Sequence, residues 1–370
     1  MKKIQLNYDF LIVGAGLIGS LTGLTLLKKG FKVLVIEKNS PKIYDNRTIA
    51  INANSKDFLK SLRIWEKIKL TPEPINKIEI SSSTTKKIIK FKDQFEPLGY
   101  VAYNHEILSL ARRELISSSS ILFKVFVCEK KLKINESIII NQKSYTFRQI
   151  IFSTGKNSNY KDQYNFLSNH HAYVGFFHHS YDHKNVAYEN FTKKGPLAIL
   201  PAPAKNKQYS TFIYSTSEKM ELKSLGSLIQ KSFIATHGKI TLNKKFFKFK
   251  ISPKIIKENK QNNIFIGDAL RSIHPVAGQG WNLGIKDIQT LINVIDNYYD
   301  DSEKLIKQYY SRRIVESFTY LTFTTFLNGL FENQNFIKKI FIKASFKLFD
   351  LDGIFKKNFI KQAMGRSQLL

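Results

Sequence analysis

An α/β fold with two lobes is the architecture this sequence predicts, and three features predict it. A strand, a glycine-rich turn, a helix and a second strand succeed one another over residues 8–37. Between about residues 170 and 249 the chain runs in short β-rich stretches broken by turns. From residue 263 a further strand enters a second glycine-rich loop and another helix. The first and third features require a parallel sheet covered by helices, and the second a mostly antiparallel sheet of its own.

Tyr8–Val13 is a short apolar run and reads as a buried parallel strand. Leu17, Leu21, Leu24 and Leu27 share one face of a helix over Leu17–Lys29, and Gly30 stands where that helix should end. Phe31–Glu37 is the second strand, so the unit is a right-handed crossover that opens a Rossmann-like domain. Its turn reads Gly14-Ala15-Gly16-Leu17-Ile18-Gly19. Gly14 permits the tight bend, Gly16 lets a pyrophosphate approach the backbone, and Gly19 lets helix and strand pack closely. Leu17 and Ile18 belong to the first helical turn, whose unpaired N–H groups and positive dipole end suit phosphate. Glu37, with Lys38 behind it, closes the second strand where a carboxylate accepts hydrogen bonds from an adenosine ribose. These residues predict a bound dinucleotide without saying which one.

Further along, Ser55–Ile64 and Asn104–Ser117 read as helices and Ile75–Lys92 as paired strands. Ile121–Val127, Ser137–Ile140 and Gln149–Phe152 read as strands, as do Ala172–His178, Leu197–Leu200 and Ser210–Tyr214 in the second lobe. Trp281–Tyr298 is the helix after the second glycine loop, and Glu303–Gln362 reads as consecutive helices. The strand Asn263–Gly267 delivers Asp268 to its carboxyl end, where it can bind a ribityl or ribose hydroxyl. There follows His274-Pro275-Val276-Ala277-Gly278-Gln279-Gly280-Trp281-Asn282-Leu283-Gly284, a loop poor in bulky side chains that opens a helix. Its backbone N–H groups can come close to a planar ring bearing developing negative charge, as reduced flavin does. The two glycine clusters together narrow the dinucleotide to FAD.

Bulk properties exclude other classes. An aromatic content of 13% and 29 Phe supply ample apolar surface, so the chain is not a disordered one. The formal charge of +29 comes overwhelmingly from scattered Lys accompanied by many Ile and Asn, a pattern of AT-rich coding. Without Arg-rich blocks or a recognition module it does not indicate nucleic acid. Cys128 stands alone, which rules out an internal disulfide and a cysteine metal site. Met1–Asn7 does not read as a targeting peptide, and no apolar run reaches the ~18 residues of a membrane span. A cytoplasmic protein is expected.

At this point the residues resemble a known family. Gly267-Asp268 with His274-Pro275-x-Ala277-Gly278-Gln279-Gly280-x-Asn282-x-Gly284-x-x-Asp287 resembles the class A FAD-dependent aromatic hydroxylases, and most of all the ubiquinone-biosynthesis hydroxylases of the UbiH, UbiF and Coq6 type. Asp45-Asn46-Arg47-Thr48-Ile49-Ala50, Leu98–Val101 with Asn104, Tyr188-Glu189-x-Phe191-Thr192, Gly195–Pro201 and Ala363-Met364-Gly365 extend the resemblance over nearly the whole chain. It implies an FAD domain assembled from residues 1–75, 101–168 and 261–300. Residues 76–100 and 169–260 would form the β-sheet substrate lobe, and 301–370 a helical C-terminal region. Position by position it implies that Glu37 binds the adenosine ribose, Asp268 the ribityl end, and Arg47 and Asn104 the pyrophosphate and flavin linker. Gly278, Gln279, Gly280, Trp281 and Asn282 would line the isoalloxazine, with Pro275 near its reacting edge and His274 as a further lining candidate.

The implied reaction is hydroxylation of a polyprenylated phenol in ubiquinone biosynthesis, with NAD(P)H and O₂ as co-substrates and a flavin hydroperoxide as oxygen donor. A related enzyme of soluble aromatics and a catalytically silent flavoprotein scaffold stay open beside it. The scaffold reading rests on Thr154, which stands where the family's middle signature has an Asp shared by FAD and NAD(P)H. His170, His171, His178, His179 and His183 lack metal-ligand spacing and read as a solvated face of the β lobe, so no metal is expected. Phe336-Ile337, Ile340-Phe341 and Ile354-Phe355 among many Lys predict basic helices that lie on the inner face of the cytoplasmic membrane, where other quinone-biosynthesis proteins are expected partners.

Overall fold

A computed structural model describes residues 5–43, 47–83, 85–127, 132–157, 163–166, 168–256, 263–273, 279–331 and 364–366. The chain begins with β1 (Gln5–Val13), α1 (Leu17–Lys28), β2 (Val33–Glu37), β3 (Thr48–Ile51) and α2 (Ala53–Ser61). β4 (Glu73–Ile75), β5 (Lys77–Ser82), β6 (Thr85–Phe91), β7 (Gly99–Tyr103), α3 (Asn104–Ser117), β8 (Ile121–Phe123), β9 (Ile138–Ile140) and β10 (Lys143–Phe152) follow. The middle holds β11 (Gln163–Asn165), β12 (His171–His179), β13 (Val186–Thr192), β14 (Gly195–Pro201), β15 (Tyr209–Thr216), α4 (Leu222–His237) and β16 (Ile240–Lys250). Last come β17 (Lys254–Ile256), β18 (Ile264–Phe265), β19 (Arg271–Ser272), α5 (Gln279–Tyr298) and α6 (Ser302–Phe331).

The first sheet has the order β18-β10-β1-β2-β8, all pairs parallel, with β9 antiparallel at the start of β10. β1 lies between the later strand β2 and the much later β10, so the strand order reverses beside β1. In an open α/β sheet that reversal marks where ligands bind, outside the carboxyl ends of the strands. β1 is long and its inner half is wholly buried, which the apolar run Phe10–Val13 explains. The outer edge of β18 is closed by α6: Tyr310 accepts from the Phe265 N–H and donates to the Asn263 carbonyl at 2.9 Å, and Tyr309 donates to the Phe265 carbonyl at 2.9 Å. Two phenols thus satisfy backbone groups that an edge strand leaves open.

The second sheet has seven strands in the order β16-β12-β15-β14-β13-β5-β6. Strand periodicity gives it two faces. Tyr173, Phe177, Phe212, Tyr214, Leu197 and Ile199 pack beneath α4 through Leu225, Ile229 and Phe233. The opposite face, with Val174, Phe176, Ile213 and Phe249, turns toward the first lobe: Phe176 lies 6.2 Å from the Tyr103 ring, and the Arg47 guanidinium lies 5.0 Å above the Phe249 ring.

Most expected elements are present with boundaries shifted by a few residues, and α3 matches its expected span. The β-rich reading of the second lobe missed α4. Its signal was the apolar stripe Leu225, Ile229, Phe233 with His237, one residue per helical turn. Glu303 onward forms a long helix to Phe331, and the rest of the expected helical run, with its basic helices, lies outside the described residues. The histidines are a correction too. His170, His179 and His183 are buried, not solvated, because His179 and His183 sit beneath α4 with His237 of that helix. His178 alone of the run is exposed, on the other face.

Candidate functional site

The glycine turn sits at the carboxyl end of β1, at the strand-order reversal. Gly14 takes φ +101°, and a Cβ there would stand 2.8 Å from the Ser153 carbonyl. Gly19 is confined harder still, with a would-be Cβ 2.0 Å from the Gly14 carbonyl and 2.2 Å from the Ser153 hydroxyl. That hydroxyl donates to the Gly14 carbonyl at 2.6 Å, so the turn after β10 locks the turn after β1. Gly16 differs: nothing lies within 4 Å of its would-be Cβ. It is the N-cap of α1, no side chain caps the helix, and its first turn holds no acidic residue. The N–H groups of this helix end are therefore left for an anion.

Glu37 ends β2 and is buried, its Oε2 accepting the Ala15 N–H at 2.8 Å and its Oε1 accepting both the backbone N–H and the side-chain amide of Asn39 at 2.9 Å. A carboxylate has about four acceptor sites, so one on Oε2 remains beyond these bonds for a ribose hydroxyl. Lys38 beside it is exposed. Sequence reasoning passed over Arg112, which grips the same turn from α3. Its Nε and Nη2 donate to the Ala15 carbonyl at 3.0 and 2.7 Å, and its guanidinium lies 4.0 Å from Glu37. Burial lowers the Arg112 pKa and Glu37 partly offsets this. The Ala15 peptide is held by a carboxylate on its N–H and a cation on its carbonyl. The signal was present as a charge on the apolar stripe Ile107, Leu108, Ala111, Leu115.

Ile18 joins the two glycine clusters, 250 residues apart in sequence. A Cβ on Gly267 would touch it at 3.3 Å and one on Gly284 at 2.6 Å, so both glycines make room for this side chain. Gly267 takes φ +60° and opens the turn that carries half-buried Asp268. Its N–H donates to Asp287 at 2.8 Å. Asp287, wholly buried, also binds Arg271 at 2.8 Å and Arg313 at 2.7 Å, and Arg313 pairs with Glu316. Burial lowers the Arg313 pKa, but Asp287 and Glu316 outweigh it and leave the pKa raised. Asp287 was visible in the motif; Arg313, on a distant helix, had no signal.

Asn282 is buried, with its side chain turned toward β3 and α2: it donates to the Ala50 carbonyl and accepts from Asn52 N–H and the Ser55 hydroxyl at 3.1 and 2.8 Å. The tail docks at the same corner, where the Met364 carbonyl accepts from Asn54 N–H and Gly365 leaves no room for a Cβ beside Asn52. Arg47 and Asn104 are brought together by the Asn104 N–H donating to the Arg47 carbonyl at 2.9 Å. Leu17 and Ile18 open α1, while Gly280 and Trp281 lie in the first turn of α5, which Gln279 begins. His274, Pro275 and Gly278 lie outside the described residues, as do Asp45 and Asn46.

The residues present fit FAD. The uncapped α1 end and the open space at Gly16 suit a diphosphate. The Thr154 hydroxyl and the Trp281 indole N–H are buried here with no hydrogen-bond partner. Buried polar groups without partners are costly, and a polar ligand in the crevice would satisfy them.

Residues 7–114 match the FAD binding domain family and residues 225–365 the squalene epoxidase family. The ubiquinone hydroxylase UbiM of Neisseria meningitidis is 25% identical, with 90% of this chain and 79% of that protein covered. The 3-demethoxyubiquinol 3-hydroxylase of Escherichia coli is 23% identical, with 96% and 98% covered. The crystal structure of p-nitrophenol 4-monooxygenase PnpA from Pseudomonas putida shares the fold at a TM-score of 0.75 and 13% identity, covering 99% of this chain and all of that one. With its two glycine clusters meeting around Ile18, the chain is similar in fold to FAD-dependent monooxygenases and, along most of its length, in sequence to ubiquinone hydroxylases.

Proposed function

We propose that this chain hydroxylates the aromatic ring of a polyprenylated phenol in ubiquinone biosynthesis, consuming NAD(P)H and O₂. The observation that carries the reading is the convergence of Gly14–Gly19, Ser153-Thr154 and Gly267-Asp268 at one crevice, on a chain akin along most of its length to ubiquinone hydroxylases. Bound FAD supplies the redox and oxygen chemistry. The chain's residues bind, orient and exclude water. The α1 N-terminus holds the diphosphate, Glu37 accepts from the adenosine ribose, and Asp268 accepts from the ribityl chain. Gly280 and Trp281 line the isoalloxazine, Asn282 fixing α5 to the β3–α2 corner. Val174, Phe176 and Ile213 give the phenol an apolar roof that keeps water away from the reacting ring.

Peripheral contact with the inner face of the cytoplasmic membrane, and with other quinone-biosynthesis proteins, belongs to the same proposal, since such a substrate resides in the bilayer. Among the described residues no helix is long and apolar enough to cross a membrane. The test is turnover of a prenylphenol by the FAD-loaded protein under ¹⁸O₂ with NADH or NADPH. A product carrying one ¹⁸O supports the reading. A flavin that neither nucleotide reduces refutes it in favour of a silent scaffold, and turnover of soluble phenols alone moves it to a different substrate class.

A further inference from the structure

Among the described residues β16 is an edge strand of the seven-stranded sheet, with β12 as its strand neighbour. Its sequence, ITLNKKFFKFK, contains four lysines and no acid. Lys244, Lys245, Lys248 and Lys250 are all exposed, and none has a carboxylate within 4.0 Å among the described residues. The register slips between Gly175 and Phe177, and this bulge lifts Lys244 and Lys245 out of the ladder. The positive field is felt locally: burial lowers the His171 pKa, and Lys248 and Lys250 lower it further.

Lysines alone would only guard an edge against pairing with another strand. The aromatic residues between them set β16 apart. Phe247 is 36% exposed and stacks on Phe249 at 6.2 Å. Both belong to the sheet face that turns toward the first lobe, opposite Val174 and Ala172, and Phe249 lies under Arg47. An aromatic pair therefore runs from the exposed rim at Phe247 onto the inner face at Phe249, beneath Arg47. A cationic rim with an exposed Phe matches the chemistry of an anionic bilayer interface, where headgroups take the charges and the ring enters the acyl boundary.

We propose that the outer edge of β16 is a docking surface for an anionic lipid bilayer, with Lys244, Lys245, Lys248 and Lys250 on the headgroups and Phe247 in the interface. The proposal rests on the reading that the substrate is lipophilic, because the same edge would then admit it along Phe247 and Phe249. Backbone groups on the free edge face water and headgroups, so docking is interfacial.

The test is co-sedimentation of the FAD-loaded full chain with vesicles of phosphatidylcholine and phosphatidylglycerol, against phosphatidylcholine alone. K244E/K245E/K248E/K250E is compared with K60E/K69E/K143E/K307E, which removes the same charge from exposed sites elsewhere. The β16 variant should lose at least roughly 1000-fold in partition and the control under about threefold, given about 1 kcal/mol of surface field on each lysine. F247S should lose about tenfold with FAD content unchanged, by removing the apolar anchor. Equal losses in both quadruple variants, an unchanged β16 variant, or a wild type that ignores anionic vesicles overturns the proposal. Unchanged FAD content and melting temperature certify that each variant is folded. Vesicle binding without hydroxylation of a prenylphenol in detergent would refute the proposed function and leave the surface standing; hydroxylation without vesicle binding would do the reverse.

Discussion

Replacing Asp287 with Ala should cost more than any other single truncation in the α5–α6 interface. The wholly buried carboxylate accepts from the Gly267 N–H, from Arg271 and from Arg313, and both guanidinia are only 2% exposed. Arg313 would keep Glu316, but Arg271 already has Nε and Nη2 buried without partners and would keep no carboxylate. Removing one partner of a buried ion pair costs about 3–5 kcal/mol, and one stranded guanidinium beside a second left with a single carboxylate places this site at the upper end. At roughly 2 °C per kcal/mol for a chain of this size, the melting temperature should fall by about 10 °C. Asp287→Asn keeps one acceptor oxygen and should lose about half as much. Because the Gly267 N–H anchors the turn that carries Asp268, both variants should also bind FAD at least about tenfold more weakly, one lost hydrogen bond's worth. The assays are apo-protein melting by scanning fluorimetry and FAD titration by flavin fluorescence. A fall below about 2 °C in Asp287→Ala would refute the reasoning, since it would mean that the cations find other partners or water.

Other perturbations bear on the remaining contacts. Gly19→Ala places a methyl 2.0 Å from the Gly14 carbonyl, so the variant should be isolated without FAD or unfolded, and a normal flavin content refutes the fit. Arg112→Met leaves the Ala15 carbonyl with the Ser20 hydroxyl alone and takes the neighbouring cation from Glu37; FAD affinity should fall about 10- to 100-fold, Arg112→Lys should recover part of it, and equal affinity in all three proteins would remove Arg112 from the site. Burial depresses His183 to about 4 and His237 to about 3 from 6.5, so the unfolded chain takes up protons that the folded one refuses. Their contribution is complete above pH 6.5 and is lost as pH falls toward those values, by several kcal/mol in all. The drop in melting temperature from pH 7 to 5 should shrink in H183Q/H237Q, and an unchanged slope contradicts the assignment.

The parts of the fold legible in the sequence are those set by local pattern. β1, α1, β2 and α3 carry unbroken apolar periodicities, and each glycine of the first turn answers a steric need that the structure exhibits at Gly14 and Gly19. α4 was missed although its stripe recurs once per turn, because its polar residues and the strands on either side suggested short β runs. The histidines were misplaced for a related reason. Alternation along β12 puts His179 inward and His178 outward, but only α4, itself unforeseen, supplies the cover that buries His179, His183 and His237.

The site was legible wherever a glycine or an acid at a strand end announced itself, and illegible wherever a charge acts through tertiary contact. Arg112 and Arg313 come from helices far from the glycine clusters, yet one clamps the Ala15 peptide and the other holds Asp287, which holds Gly267. These two cations brace the two halves of the crevice from opposite sides, and Ile18 spans the gap between them. The crevice thus owes its shape to glycines and its rigidity to buried charge pairs that leave the facing backbone groups free for a ligand. Thr154 follows Ser153 at this crevice with a buried, unpartnered hydroxyl, at the position where the family resemblance leads one to expect a carboxylate. A neutral donor there changes what approaches the flavin and not what holds it, so cofactor binding and reduction by NAD(P)H should respond to substitution independently. Thr154→Asp is the variant that separates them: a changed reduction rate at constant FAD affinity assigns Thr154 to the electron route, and a changed FAD affinity assigns it to the cofactor's frame.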